Sequence, residues 1–255
     1  MLFSQRALEP EHFDDPARTP AEIAACYREL GRVNRLFRLD DPYTRVLARW
    51  LGHDRCQNLS ILDLGAGDSW LGTAMEQWAG KEFGWAWRVT NFDLKLVPLQ
   101  LNQSSRNVVG SVLALPFTAG SFDLVIASQM THHLATDDAA IQHFREAYRV
   151  ARQGVFITDM KRSVVFYALL WVTLRVLRLS RETREDGLLS VKRSWSREEL
   201  VALAARAGLS GATVRSYFGA RLIVAARKTG ATAAATETSG PCRGTDEFCS
   251  APSGK

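Results

Sequence analysis

The chain has 255 residues, of which 46% are hydrophobic and 23% charged, and its formal net charge is +5. That length suits one large α/β domain and is short for two, and the composition is that of a soluble globular protein. The modest charge excludes a histone-like partner of nucleic acids. The four cysteines lack the paired spacing of a metal site, so we expect free thiols, no metal and a cytoplasmic location.

The first 57 residues predict an irregular arm followed by two helices. Residues 1–19 are polar and contain prolines, and Thr19-Pro20 marks a helix start. Apolar residues at helical spacing extend this helix to about Phe37, and a second, short helix is predicted over 43–51. The N-terminus lacks a long apolar segment, so no signal peptide is expected.

Residues 58–228 predict an α/β domain, because apolar strands alternate with helical segments as in a parallel sheet. Strands are predicted over 59–64, 85–92, 108–111, 122–128 and 154–159, and helices over 69–80 and 137–152. A helical insertion, 163–193, follows the fifth strand, with an apolar helix to about 179 and then a charged loop. A capped helix over 196–207 precedes two strands, 212–217 and 221–226, which we expect to pair antiparallel. Residues 229–255 predict a disordered tail.

The turn after the first strand is the strongest motif. The run 61–67 reads Ile-Leu-Asp-Leu-Gly-Ala-Gly. Glycines let the backbone approach a ligand, and the following helix N-terminus attracts an anionic group. A dinucleotide site requires a further glycine where Trp70 stands, and a phosphate loop requires a Gly-Lys-Ser/Thr ending that is absent. The turn therefore disfavours NAD, FAD and nucleoside triphosphates.

The run 61–67, the tripeptide Asn91-Phe92-Asp93 and the segments 110–117 and 121–125 together resemble class I S-adenosylmethionine-dependent methyltransferases, in their small-molecule, polyketide or quinone branch. The resemblance covers roughly residues 58–228. It implies a Rossmann-like, seven-stranded, mostly parallel sheet with an antiparallel last strand. It also implies S-adenosyl-L-methionine as the cofactor.

The resemblance assigns cofactor contacts to several of these residues. It implies that Asp93 accepts hydrogen bonds from the ribose hydroxyls, and that Asp63 orders the turn and faces the methionine amino group. Ser111 stands where many relatives carry Asp, and Ser69 replaces a further glycine and is expected to cap the next helix. The full cofactor-binding set implied is Asp63, Gly65, Ala66, Gly67, Asp93, Leu94, Ser111, Val112 and Ser128.

Three residues at the same sheet edge are candidates for catalysis. His132 and His133 follow the fourth strand, and either is a base candidate for a hydroxyl acceptor. Asp159 ends the fifth strand and is a candidate for substrate contact. The alternatives are that the histidines shape their loop or cap the next helix, and that Asp159 is a structural cap.

The resemblance implies that the acceptor pocket lies between the N-terminal helices and the 163–193 insertion. Both segments are apolar and aromatic, which favours a hydrophobic small molecule. The leading hypothesis is O-methylation of an aromatic or polyketide-type hydroxyl, in secondary metabolism. The alternatives are C-methylation of a quinone-like lipid ring, methylation of RNA or protein, and a non-catalytic binding protein. The chain has no RNA-recognition stretch, which disfavours nucleic acid.

The apolar run 164–174 raises the question of a membrane. It has about half the length that a bilayer-spanning helix needs. Arg175, Arg178 and Arg181 follow at helical spacing. We therefore expect a buried helix or a lid over a pocket, and the alternative is peripheral membrane contact through 163–181.

Overall fold

The predicted strands form one sheet. The structure, a computed structural model, describes residues 3–52, 57–102, 104 and 106–228. The strands are β1 (Asn58–Leu64), β2 (Ala86–Asp93), β3 (Asn107–Val109), β4 (Phe122–Ser128), β5 (Ala151–Met160), β6 (Thr213–Tyr217) and β7 (Arg221–Arg227). Their order is β3-β2-β1-β4-β5-β7-β6, and only the pairs that include β7 are antiparallel. The predicted fold class is confirmed. The predicted tail, 229–255, lies outside the described residues.

Helices cover both faces of the sheet. They are α1 (Pro20–Leu36), α2 (Leu47–Leu51), α3 (Trp70–Phe83), α4 (Leu96–Leu99), α5 (Asp137–Val150), α6 (Val164–Val176), α7 (Arg181–Arg193) and α8 (Arg197–Arg206), with a π-helical turn at Pro42–Val46. The predicted start of α1 and the predicted capping of α8 are confirmed, and α1 is capped in the same way. Thr19 and Ser196 each accept a hydrogen bond from the backbone N–H three residues on, and the side chain of the glutamate there accepts one from the backbone N–H of the capping residue. None of the helices among the described residues has the length and apolarity needed to cross a bilayer.

The prediction of a charged loop after α6 was wrong, because residues 181–193 form α7. Ser180 caps this helix by accepting from the Thr183 backbone N–H, and Arg181 pairs with Glu185 one turn on. The buried face of α7 carries mainly polar side chains, including Asp186 and Ser190. Because the buried face is mainly polar, the sequence of this segment lacks the regularly spaced apolar residues by which a helix that packs on a protein core is usually recognised.

Ser69 does not cap α3 as expected. Its backbone is left-handed, with φ 62°, and its side chain makes no cap hydrogen bond. Its hydroxyl oxygen instead accepts a 2.7 Å hydrogen bond from Asn102 Nδ2. This left-handed conformation favours glycine, and the residue that adopts it here makes a partly buried hydrogen bond with Asn102.

The two faces of the sheet pack two separate cores. One core joins the sheet to α5 and α8 through residues such as Phe144 and Leu203. The other core includes Met75 of α3 and Tyr43 of the π-helical turn. The Tyr43 hydroxyl donates to the Ala127 carbonyl and lies 2.8 Å from Thr158 Oγ1. The N-terminal helices are thus fixed to the carboxyl half of β4 and β5.

Candidate active site

The glycine turn is tied to the end of β2. Gly65 N and Ala66 N donate to the Phe92 carbonyl at 2.8 and 3.1 Å, and Gly67 N donates to Asp93 Oδ2 at 2.9 Å. Gly65 and Gly67 have φ values of 72° and 56°. Side chains are disfavoured at such values, so the turn requires glycine at both positions. The predicted turn residues and Asp93 therefore lie together.

The Asp93 carboxylate is held in place by the backbone. Its Oδ1 accepts from Lys95 N at 2.9 Å, while its Oδ2 accepts from Gly67 N. Two carboxylate oxygens have about four acceptor sites in total, so each oxygen keeps capacity for a further donor. The half-buried carboxylate can therefore accept from ribose hydroxyls without releasing the turn.

Asp63 has a buried carboxyl group that lacks a partner. Neither oxygen has a hydrogen-bond partner among the described residues. Burial, and then the nearby charge of Asp93, raise the pKa of Asp63 to about 8. A cationic group placed here would satisfy both oxygens and favour the ionised carboxylate. The site therefore fits the amino end of S-adenosylmethionine.

Two side chains that were not predicted as site residues lie on the glycine turn. A Cβ atom on Gly65 would lie 2.3 Å from Met130 Cγ, and one on Gly67 would lie 2.7 Å from Tyr27 Cε1. Burial, and then Asp93, raise the pKa of the Tyr27 hydroxyl. Met130 follows β4 at the same sheet edge, which is the one sequence signal that points to it. Tyr27 comes from α1, and nothing local in the sequence places it on the turn.

The remaining predicted cofactor residues surround this edge. Leu94 is 68% exposed, which leaves it free to contact a ligand, and Val112 packs against the core. Ser111 is exposed and its hydroxyl oxygen accepts from Leu113 N at 3.2 Å, so it orders its own loop. Ser128 ends β4, next to Ala127, whose carbonyl accepts from the Tyr43 hydroxyl. These assignments stay predictions.

His132 and Asp159 form a buried pair. Nδ1 of His132 lies 2.7 Å from Asp159 Oδ1, and the His132 backbone N–H donates to Oδ2 at 2.7 Å. Both side chains are 2% exposed. A carboxylate at Nδ1 keeps the proton on that nitrogen and leaves Nε2 as an acceptor. The His133 ring lies beside them, with its centroid 4.4 Å from that of the His132 ring, so the structure brings all three predicted catalytic residues together.

The N-terminal arm covers this pair with acidic side chains. The two Glu11 carboxylate oxygens lie 3.9 Å from Nε2 of His132 and 3.9 Å from Nε2 of His133, respectively. Asp14 Oδ2 lies 3.7 Å from His133 Nδ1. Burial disfavours the charged imidazole of His133, but the carboxylates of Asp14 and Glu11 more than offset it and raise the pKa of His133. No local sequence pattern predicted that residues 11 and 14 would reach this site.

Glu11, His132 and His133 hold ligating atoms within 4.8 Å of one another. The guanidinium of Arg193 lies beside them, with Nη1 3.2 Å from Asp14 Oδ2 and 3.9 Å from Glu11 Oε1. Arg193 therefore already supplies positive charge to these carboxylates.

Arg6 fastens the arm over the site. Its guanidinium donates to the carbonyls of His132 and Leu134 at 3.1 and 2.9 Å, and to that of Arg193 at 2.6 Å. The same group stacks on Trp195, 3.4 Å from the ring centroid. The arm thus closes over the ends of β4 and β5.

Residues 62–158, from β1 to β5, match a family model described as a methyltransferase domain. A search of curated protein sequences finds no match.

Several solved structures share the fold. PigF with S-adenosylhomocysteine is 18% identical with a TM-score of 0.58, and the alignment covers 86% of this chain and 63% of PigF. Human N-acetylserotonin methyltransferase with S-adenosylmethionine is 16% identical with a TM-score of 0.57, covering 85% of this chain and 61% of that one. A methyltransferase from Aquifex aeolicus is 14% identical with a TM-score of 0.52, covering 82% and 98%. At these identities, the likeness is one of fold.

Proposed function

We propose that this protein, which carries a class I S-adenosylmethionine-dependent methyltransferase domain, methylates a hydroxyl group of an aromatic or polyketide-type small molecule. The cofactor, when bound, supplies an electrophilic methyl group on a sulfonium. Asp93 would hold its ribose and Asp63 its amino group. The observation that carries the choice of a hydroxyl acceptor is the buried His132–Asp159 pair at the same sheet edge.

The pair suits general-base catalysis. Asp159 holds the Nδ1–H of His132, so Nε2 accepts the proton of the acceptor hydroxyl. The carboxylate then stabilises the imidazolium that forms. Burial excludes bulk water, which protects the transferable methyl group from hydrolysis. His133 has a raised pKa between Asp14 and Glu11, so we assign it to holding the arm rather than to proton transfer.

The surroundings support a hydrophobic acceptor. Phe3 of the arm, Phe37 after α1 and Phe166 of α6 belong to one apolar cluster. Met160, which directly follows Asp159, packs into the same cluster. An apolar ring bound against this cluster would lie at the carboxyl end of β5, the strand that carries Asp159.

The decisive experiment incubates the protein with methyl-labelled cofactor and a whole-cell lysate that contains small metabolites, RNA and protein, and locates the label by mass spectrometry. Label on a hydroxyl oxygen supports the proposal. Label on a ring carbon supports the second candidate, C-methylation of a quinone-like lipid, which the apolar insertion also favours. Label in RNA or protein, or cofactor binding without turnover, would overturn the proposal.

Substitution of the base should separate chemistry from binding. We expect His132→Ala to lower kcat by about 10²–10⁴-fold, because general-base catalysis is lost, while cofactor affinity by calorimetry stays unchanged. His133→Ala is the matched control and should retain most of the turnover. Equal turnover of His132→Ala and the wild type would remove this histidine from the mechanism.

A further inference from the structure

We propose that α6 docks this protein on an anionic membrane surface. One face of α6 packs into the protein, where Leu170 and Leu174 are buried near Val191 of α7. The opposite face is apolar as well, although it is exposed. Its side chains form a stripe at helical spacing: Val165 (69% exposed), Leu169 (63%), Val172 (52%) and Val176 (73%). Exposed apolar patches of this kind mark interaction surfaces.

The edge of the stripe has the chemistry of a membrane interface. Trp171 is 43% exposed beside it, and the guanidinium carbon of Arg175 lies 4.3 Å from its ring centroid. Tryptophan favours the boundary between lipid headgroups and acyl chains. Arg178 continues the positive charge beyond the end of the helix, whereas the charge of Arg181 is paired with Glu185. Such a pattern fits shallow insertion with the arginines among anionic headgroups.

Charge complementarity favours lipid over a second copy of the chain. Among the described residues, no carboxylate oxygen lies within 4.0 Å of the guanidinium nitrogens of Arg175 or Arg178, whereas Arg181 is paired with Glu185. The α6 sequence, VVFYALLWVTLRV, contains no acidic residue. A second copy that presented the same helix would therefore offer these arginines no α6 carboxylate, whereas anionic headgroups would.

The proposal is tested by co-flotation of the full chain with lipid vesicles. We expect the wild type to bind phosphatidylcholine vesicles that contain phosphatidylserine, and to bind less to pure phosphatidylcholine or at raised salt. Val172→Glu places a charge in the stripe and should lower the bound fraction by about tenfold or more. Val201→Glu makes the same change on α8, at a site that is 45% exposed, and should leave binding unaltered.

The same two variants also test whether a second copy of the chain, rather than a membrane, covers the stripe. Circular dichroism checks that both remain folded, and light scattering reports the oligomeric state. The proposal fails if the wild type does not bind anionic vesicles, or if Val172→Glu binds them as well as the wild type does. It also fails if the wild type is a dimer that Val172→Glu converts to a monomer without any vesicle binding, which would assign the stripe to a second copy. None of these readouts depends on the proposed reaction.

Discussion

Near the carboxyl end of β1, the carboxyl group of Asp63 is buried, which is energetically unfavourable for the folded protein when the group lacks a partner. Its two oxygens are unpartnered among the described residues, and burial followed by the charge of Asp93 raises its pKa to about 8. This raised pKa favours the protonated form of the carboxyl group in the free protein. Residues that merely support a fold rarely remain unsatisfied, so the group is better explained by a ligand.

The pH dependence of stability should reveal Asp63. Its native pKa lies above the unfolded value of about 4, so between these values the native state binds more protons. The free energy of unfolding should then fall as pH rises from about 4 to about 8, at up to about 1.4 kcal/mol per pH unit. Asp63→Asn should remove this contribution, as measured by urea unfolding at pH 5 and pH 8. An unchanged difference between the two pH values would contradict the assignment.

The sequence predicted the site residues that end strands, but it did not predict those that come from the N-terminal region. Asp63, Asp93 and Asp159 end apolar strands, and parallel strands bring their carboxyl ends to one edge. Glu11 and Tyr27 reach the same edge from the N-terminal region. Their positions depend on contacts between residues far apart in the chain, and no local pattern records such contacts.

At the level of elements, the N-terminal arm has little regular structure and is held by side chains. Apart from a 3₁₀ turn at His12–Asp14, its order depends on contacts such as those of Arg6 with two carbonyls and with Trp195. The sequence predicted an irregular arm correctly, because its residues are polar and contain prolines. It did not predict the docking, since polar composition alone does not identify partners.

A variant that holds the N-terminal arm less tightly should keep its fold while the backbone amides of the arm exchange hydrogen faster. Arg6→Ala removes the hydrogen bonds to the His132 and Leu134 carbonyls and the stacking on Trp195. We expect backbone amides of residues 3–19 to exchange hydrogen faster by about tenfold or more, because local opening becomes less costly. Mass spectrometry of exchanged peptides provides the measurement. Arg215→Ala, at an exposed site on β6, is the control, and equal exchange in both variants would show that Arg6 does not secure the arm.

For the molecule as a whole, the N-terminal helices and the sheet share a core. Tyr43 and Leu47 are fully buried against sheet residues such as Phe156. The single seven-stranded sheet followed from the family resemblance, whereas the order of its strands was not predicted, because periodicity identifies strands but not their neighbours. Likewise, sequence alone marked 1–57 as a separate region and gave no sign that Tyr43 hydrogen-bonds across the sheet.

A shared core predicts one unfolding transition. Tyr43→Phe leaves the Ala127 carbonyl and the Thr158 hydroxyl without this partner, and should lower the free energy of unfolding by about 1–3 kcal/mol. Urea unfolding followed by fluorescence and by circular dichroism should give coincident single transitions for the wild type and the variant. Tyr217→Phe removes a less buried hydroxyl and should have little effect. Two separated transitions would show that the N-terminal helices fold on their own.

The side chains of Met130 and Tyr27 have a kinetic consequence, because they lie against the two glycines that a nucleoside would approach. We expect a ligand that approaches the backbone of these glycines to displace the two side chains. Ligand binding would then take two steps, a slow movement of these two side chains and a fast association of the ligand. In rapid-mixing measurements, the observed association rate should stop rising at high concentration and settle at the rate of that rearrangement.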